Sequence, residues 1–297
     1  MVATVAEIWR YPVKSMQGER VGSSGVDERG LAFDRAYALM DAATGMLASA
    51  KRPRPWGALL QMSARVIEND PTAGSPPVVE VDFGGESTVI RGADDPKAAK
   101  AISAWVGREV RIVSVAPEGA AFEEVWVQDM GAPESMYAPV TADDEDGLPV
   151  LSVPGALGAP DGTLFDFASL HILASASIRS LSAALGDASV DVRRFRPNLL
   201  IETGDGTSDY PDNEWSRSAL RIGGSLEARG IMATMRCVMV TLPQGELVRA
   251  REVLQTLNRV NRLDVPSMGS YPCIGVYARV VRAGTVSEGD EVVVLDG

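Results

Sequence analysis

Histidine and cysteine are the scarcest chemistry-bearing residues of this 297-residue chain, which has one histidine, His171, and two cysteines, Cys237 and Cys273. Two thiols exclude a disulfide-rich scaffold, a four-thiolate zinc site and a self-contained four-cysteine iron–sulfur cluster. One imidazole excludes a two-histidine zincin motif and any His-rich metal site. A metal would therefore have to arrive inside a cofactor. Long apolar runs are missing as well: no stretch approaches the roughly 18 consecutive apolar residues that span a bilayer. The N-terminal Met1–Glu7 has neither the basic n-region nor the apolar h-region of a signal peptide. These absences lead to the expectation of a cytoplasmic protein with no membrane partner. Basic charge is also in deficit, with 28 Lys and Arg against 40 Asp and Glu and a net charge of −12. That balance suits neither nucleic acid nor an anionic membrane. Against it, arginines clustered at one place carry more information than they would in a basic protein.

What is present is rich in strands. Ala3–Tyr11, Ala36–Asp41, Leu59–Ile67, Val78–Phe83, Ser87–Arg91 and Glu109–Val115 are short β-compatible runs with turn residues between them. One helix interrupts them: Asp95 can cap it, Pro96 suits its first position, Ile102 and Trp105 share a face, and Gly107 ends it. Residues 1–116 read as a first domain. Residues 117–164 have weak periodicity and many Pro, Gly and acidic residues, Thr141–Gly147 being the most polar part. They are a linker, a long loop lying over a site, or a mixture of both. A second domain spans 165–297. It opens with an amphipathic helix over Ser175–Leu185, with Ile178, Leu181 and Leu185 on one face and Gly186 at its end. Strand-like runs follow at Asn198–Glu202, Leu220–Ile222 and Ile231–Leu242, then a helix over Glu246–Asn258 with Leu247, Leu254 and Leu257 on one stripe. Gly275–Val281 and Glu291–Leu295 close the chain on either side of a turn through Arg282–Gly284. Many strands with peripheral helices give a mainly β (α+β) class, and barrels are the architecture that leaves no exposed sheet edge.

Few side chains stand out chemically. If Val192–Asn198 is extended, Arg194, Arg196 and Asn198 project from one face as a donor array suited to a phosphate or a polar heterocycle. The same residues could equally be a solvated strand with surface ion pairs. Pro197 confines the segment to an edge, bulge or strand start. Cys237 lies in Met235–Met239 within an apolar run; a buried cysteine is usually a small hydrophobe, while its thiolate would suit a transition metal in a sulfur-rich site. Arg236 could favour that thiolate, although neighbours in a regular strand face opposite ways. Lys14, Ser15 and Arg35 are phosphate-compatible donors near strand ends. His171 reads as a satisfied core residue, and Trp9, Trp56, Trp105, Trp126 and Trp215 as core or interface.

Taken in order, these segments resemble a known family. Ile8-Trp9-Arg10-Tyr11-Pro12-Val13-Lys14-Ser15 followed by Gly30-Leu31-Ala32-Phe33-Asp34-Arg35 resembles the N-terminal β-barrel domain that accompanies MOSC domains (molybdenum cofactor sulfurase C-terminal domains). Leu170–Leu173 with Ala176-Ser177, Arg194–Asn198, Trp215, Ile222-Gly223, Arg236-Cys237, Gly275-Val276-Tyr277, Gly284-Thr285 and Gly289-Asp290 resemble the MOSC domain itself. The likeness is to members such as the mitochondrial amidoxime-reducing component and its bacterial relatives. It implies two β-rich units with a molybdenum–pyranopterin cofactor between or beside them. It further implies Cys237 as the metal ligand and catalytic residue, pterin and phosphate contacts on Lys14, Ser15, Arg35, Arg196 and Asn198, with Arg236 beside the thiolate and Tyr277 as a lining residue. Two departures are visible: Met235 stands where members often carry serine, and Ile274 where phenylalanine is usual.

The resemblance implies a molybdenum-dependent oxidoreductase that reduces N-hydroxylated or N-oxide-type small molecules. Some bacterial relatives carry a ferredoxin domain after the MOSC domain; this chain has no cysteines to build one, so a separate ferredoxin- or flavin-type protein is expected to supply electrons. Two alternatives stay open. Cys237 could carry a persulfide for sulfur transfer, or the chain could be a non-catalytic module for a small anion.

Overall fold

The computed structural model describes residues 3–68, 75–125, 140–143, 149–155, 158–186, 188–204, 207–266 and 268–295. The first section contributes β1 (Ala3–Arg10), β2 (Glu19–Arg20), β3 (Ser23–Asp27), β4 (Gly30–Leu31), β5 (Ala38–Asp41) and a short helix α1 (Pro53–Trp56). It continues with β6 (Ser63–Glu68), β7 (Val78–Asp82), β8 (Ser87–Ile90), α2 (Pro96–Val106) and β9 (Val110–Val113). The middle holds β10 (Ala121–Val125), β11 (Val140–Asp143) and β12 (Pro149–Pro154). The last section runs β13 (Leu170–Ala174), α3 (Ser175–Ala184), β14 (Leu199–Thr203), α4 (Asp212–Trp215), β15 (Ala219–Ile222) and β16 (Leu226–Met235). It ends with α5 (Arg251–Val260), β17 (Arg262–Val265), β18 (Gly269–Arg282), β19 (Gly284–Ser287) and β20 (Glu291–Leu295).

Strands β13, β14, β1, β20, β15, β16 and β18 pair in that order, and β18 pairs back to β13, closing a seven-stranded barrel. Every contact around it is antiparallel except β13 with β14, whose parallel pairing requires the crossover that contains α3. The barrel interior follows the strand period of two: Leu220 and Ile222, Leu226 and Ala228, Val276 and Ala278 point inward and are buried with Val5 and Ile8. Strand β1 comes first in the chain, yet it sits between β14 and β20, from the other end.

The rest of the first section packs separately. The β6–β7–β8 meander and the β5–β9 pair enclose a core with Leu39, Trp56, Val81 and Ile112 against α2. Helix α2 forms as its sequence dictates: the Asp95 carboxylate accepts from the Lys97 and Ala98 amides, Pro96 opens the first turn, and Gly107 at φ +69° ends the last. Ile102 is fully buried, while Trp105 lies at the rim with its ring 5.4 Å from that of Phe83. Among the described residues no helix is long and apolar enough to cross a membrane.

Four local expectations differ from the structure. Gly57–Gln61 is a 3-10 turn, so the strand expected from Leu59 begins at Ser63; a short apolar run cannot by itself separate the two. Residues 117–164 are not structureless where described: β10 and β12 pair along five residues and β11 adds to β12, while residues 126–139 and 144–148, including Trp126, lie outside the described residues. Strand β16 stops at Met235, and Val238–Thr241 turns away as a 3-10 segment instead of continuing to Leu242. The last helix begins at Arg251, not Glu246, because Gln244 and Leu247 pair across a turn and the Ala250 amide donates back to the Thr241 carbonyl.

Candidate functional site

Where β16 ends against β13 and β18, the chain leaves a cavity of about 150 Å³. His171 stands on β13, Met235 ends β16, Arg236 and Cys237 follow it, and Tyr271 and Tyr277 come from β18. Phe122, Glu124 and Val153 face it from β10 and β12, and Arg35 and Lys51 from loops of the first section. Its wall carries five cationic side chains, Arg35, Lys51, Arg194, Arg196 and Arg236, against two carboxylates, Glu124 and Asp166. In a chain of net charge −12 that excess of positive charge is local, a setting whose electrostatics favour an anion.

The array expected over Val192–Asn198 does not form as an extended strand. Val192–Phe195 is a 3-10 turn and Arg196 takes a left-handed conformation at φ +53°, so the three polar side chains diverge. Arg194 is spent on carbonyls, donating to Val240, Leu242 and Val248 and drawing the loop after Cys237 against the turn. Asn198 is spent too: Oδ1 accepts from the His171 amide, and Nδ2 donates to the Trp9 carbonyl and to Asp34. Arg196 enters the cavity. One of its N–H groups donates to the Met16 carbonyl at 2.6 Å, and its guanidinium lies 4.2 Å from the Tyr11 ring centre. Arg35 covers the same ring at 4.7 Å and pairs with Asp34. Burial, reinforced by Arg35, pulls the Arg196 guanidinium down to about 10.

Lys14 and Ser15 lie behind the wall. The Lys14 ammonium pairs with Asp166 and donates to the Leu164 carbonyl at 3.0 Å. The Ser15 hydroxyl accepts from the Ala50 amide at 3.1 Å, fixing the loop that delivers Lys51. Among the described residues five non-glycine residues have positive φ, and three of them are Ser15, Arg35 and Arg196. Left-handed backbone costs such residues about 1 kcal/mol or more, and strain of this kind gathers at functional sites.

Arg236 is the most heavily bonded of the cations. It donates to the Ile274 carbonyl from Nε and Nη2, to the Phe195 carbonyl from Nη1, and to His171 Nε2 at 2.6 Å. His171 is the satisfied residue its sequence context implies, its other ring nitrogen meeting the Arg196 carbonyl at 3.3 Å. Burial, then the Arg236 charge, holds this imidazole well below the ordinary histidine value. Burial raises the Cys237 thiol to about 11, Glu124 adding to the rise while Lys51 and Arg236 oppose it. Tyr277 lines the cavity and stacks on Phe167, ring centres 5.3 Å apart. Cys273, on β18, is fully buried and takes no part in the wall.

Lys51, Glu124 and Asp166 escaped the sequence reading. Lys51 binds Glu124 at 3.2 Å and Asp166 at 3.5 Å, with its ammonium 4.8 Å from the Phe122 ring centre. Burial would lower the Lys51 ammonium, but Glu124 and Asp166 outweigh it and raise it well above the usual value. Burial would likewise raise Asp166, yet Lys14 and Lys51 hold it well below the usual carboxylate range. Two signals existed: the basic run Lys51-Arg52-Pro53-Arg54 in an acidic chain, and one carboxylate set between Phe165 and Phe167. Among the described residues no group of three or more His, Cys, Asp and Glu side chains could hold a bare metal ion.

Comparison with known proteins bears on this geometry. Residues 2–105 match the MOSC N-terminal beta barrel domain and residues 160–293 the MOSC domain. The chain is 25% identical to human mitochondrial amidoxime-reducing component 1 over 99% of its own length and 83% of that protein. It is 26% identical to the molybdenum cofactor sulfurase of Oryza sativa subsp. japonica over 85% of its own length but 30% of the relative. Among solved structures, the YUAD protein from Bacillus subtilis aligns with a TM-score of 0.40 at 11% identity, covering 99% of this chain and 96% of the other.

Proposed function

Since the chain belongs to the MOSC-domain family, we propose that its cavity holds a molybdenum–pyranopterin cofactor and that the loaded protein reduces N-hydroxylated or N-oxide-type compounds. The observation that carries this reading is one cavity lined by both the Cys237 thiol and the arginines Arg35 and Arg196. The donor set fits the group. A soft thiolate suits molybdenum, and guanidiniums with uncommitted N–H groups suit a phosphate. Cys237 would hold the metal, Arg196 and Arg35 the anionic end, and Tyr277 would line the remaining wall, while Lys14, Ser15, Asn198 and Arg236 keep those residues in place. When bound, the cofactor supplies a two-electron redox centre able to take oxygen from an N–O bond.

The chain's own residues then have defined work. Ligation requires Cys237 to lose its proton, and Lys51 and Arg236 lower the cost of the resulting charge. The stacked Phe167 and Tyr277 rings cover one side and exclude water. Reduction of a hydroxylamine-type N–O bond consumes two electrons and two protons and releases water. The electrons are assigned to a separate ferredoxin- or flavin-type protein.

The sulfurase relative supports a second reading, in which Cys237 carries a persulfide. Against it stands the setting of the half-buried thiol: desolvation raises it to about 11, and a protonated thiol is a poor nucleophile in neutral solution unless a metal displaces the proton. Elemental and pterin analysis of protein from a cofactor-competent host, beside Cys237→Ala, tests the proposal. About one molybdenum per chain, lost in the variant together with turnover of N-hydroxylated substrates, is expected. Full turnover by Cys237→Ala would sink the ligand assignment. A labelled persulfide without molybdenum would establish sulfur transfer, and pterin without turnover a binding module.

A further inference from the structure

The chain's sole histidine has no chemical step in the function proposed above, yet its ring joins two arginines of the cavity wall, Arg196 and Arg236. A guanidinium donates and never accepts. The Nε2 atom, 2.6 Å from Arg236 Nη2, must therefore be the lone-pair nitrogen of a neutral ring. Nδ1 then carries the proton and donates to the Arg196 carbonyl at 3.3 Å. The two partners together select one tautomer.

The ring is also held in place mechanically. The His171 amide donates to Asn198 Oδ1 at 3.0 Å, and the Asn198 amide donates to the His171 carbonyl at 2.7 Å. Gly275, at φ +83°, passes so close that a Cβ there would stand 2.2 Å from His171 Nε2. Only glycine leaves the slot open.

The bridged arginines have different tasks. An arginine has five N–H donors, and Arg236 commits four of them to Ile274, Phe195 and His171. Among the described residues Arg196 commits one, to Met16. Arg236 thus acts as a fastening next to Cys237, and Arg196 keeps its donors for the cavity. The imidazole grips Arg196 by its carbonyl, at a strained left-handed residue, and Arg236 by its guanidinium.

We infer that His171 is a positioning residue: as a neutral Nδ1–H imidazole it fixes the spacing between Arg196, which faces the ligand's anionic end, and Arg236-Cys237, which faces its metal. The identity of the ligand rests on the function proposed above; the bridge itself rests on geometry alone. Leucine at this position would fill the slot but supply neither an acceptor for Arg236 nor a donor for the Arg196 carbonyl. Glutamine can supply both, accepting at Oε1 and donating from Nε2.

Because the chain has one histidine, histidine labelled with ¹⁵N and a histidine-free purification tag give a single imidazole spectrum. At pH 7 the proton should sit on Nδ1 with Nε2 bare. A ring protonated at Nε2, or on both nitrogens, overturns the inference whether or not cofactor is bound. In protein loaded by a competent host, His171→Leu should release pterin at least tenfold faster on dilution and shift the Mo(V) electron paramagnetic resonance g-values. His171→Gln should stay within threefold of the unmodified rate. A leucine variant that keeps its pterin and g-values, or a glutamine variant no better than leucine, rejects the positioning role. Unmodified protein that carries no pterin would instead count against the proposed function, and the imidazole spectrum would still decide the bridge.

Discussion

A histidine held neutral by burial and by a neighbouring arginine leaves its mark on stability. The His171 pKa lies well below its unfolded value of about 6.5, so between the two the unfolded chain binds a proton that the folded chain refuses. That contribution is complete above about pH 6.5 and is lost as the pH falls, at about 1.4 kcal/mol per unit. Asp212 works in the opposite sense, since burial raises its carboxyl to about 6 and its contribution is lost as the pH rises through that value. Comparison with His171→Gln isolates the histidine. The difference in urea stability between the two proteins should shrink from pH 8 to pH 5.5, and a pH-independent difference would contradict the assignment. Gly275 belongs to the same argument: Gly275→Ala meets both positive φ and the imidazole, and should destabilise the fold by roughly 2–5 kcal/mol in urea denaturation. A loss under 1 kcal/mol would show that the ring can retreat.

At the scale of elements, the segment after Cys237 depends on a neighbouring turn. Arg194 holds the Val240, Leu242 and Val248 carbonyls, fastening this loop to Val192–Phe195 beyond the apolar contact that Phe195 and Val240 share. Arg194→Met keeps the apolar stem and removes the donors. It should cost roughly 2–4 kcal/mol and speed amide exchange over residues 238–250, detected by hydrogen–deuterium mass spectrometry. Unchanged exchange there would mean that packing alone holds the loop. This turn also marks the limit of what the residues disclosed. Helix α2 was legible because cap, proline and glycine all act within a few residues. The cavity arginines were legible as residue types but not as an array, since a left-handed Arg196 cannot be read from a pattern that assumes extended chain. Lys51, Glu124 and Asp166 were not legible as a cluster for another reason. Their ion pairs join sections far apart in sequence, and periodicity holds no trace of pairing at that distance.

For the molecule as a whole, the position of β1 decides how the sections depend on each other. A division near residue 116 follows sequence order, whereas β1 fills the gap between β14 and β20 and contributes Val5 and Ile8 to the barrel interior. The loop after it is fastened to the barrel by Asp34, which accepts from the Tyr11 amide and from Asn198. Removing β1 would expose two strand edges and open the barrel interior to water, a loss no surface contact can replace. The first section therefore cannot unfold as a whole, β1 included, while the barrel stays intact. Scanning calorimetry of the full chain should show one cooperative transition, its van't Hoff and calorimetric enthalpies agreeing. A fragment beginning at Pro149 should lack a cooperative melt, and adding a peptide of residues 1–12 should restore part of it. A fragment that melts sharply by itself would show that six strands suffice, and that β1 serves to carry Arg35 to the cavity and Lys14 and Ser15 behind its wall.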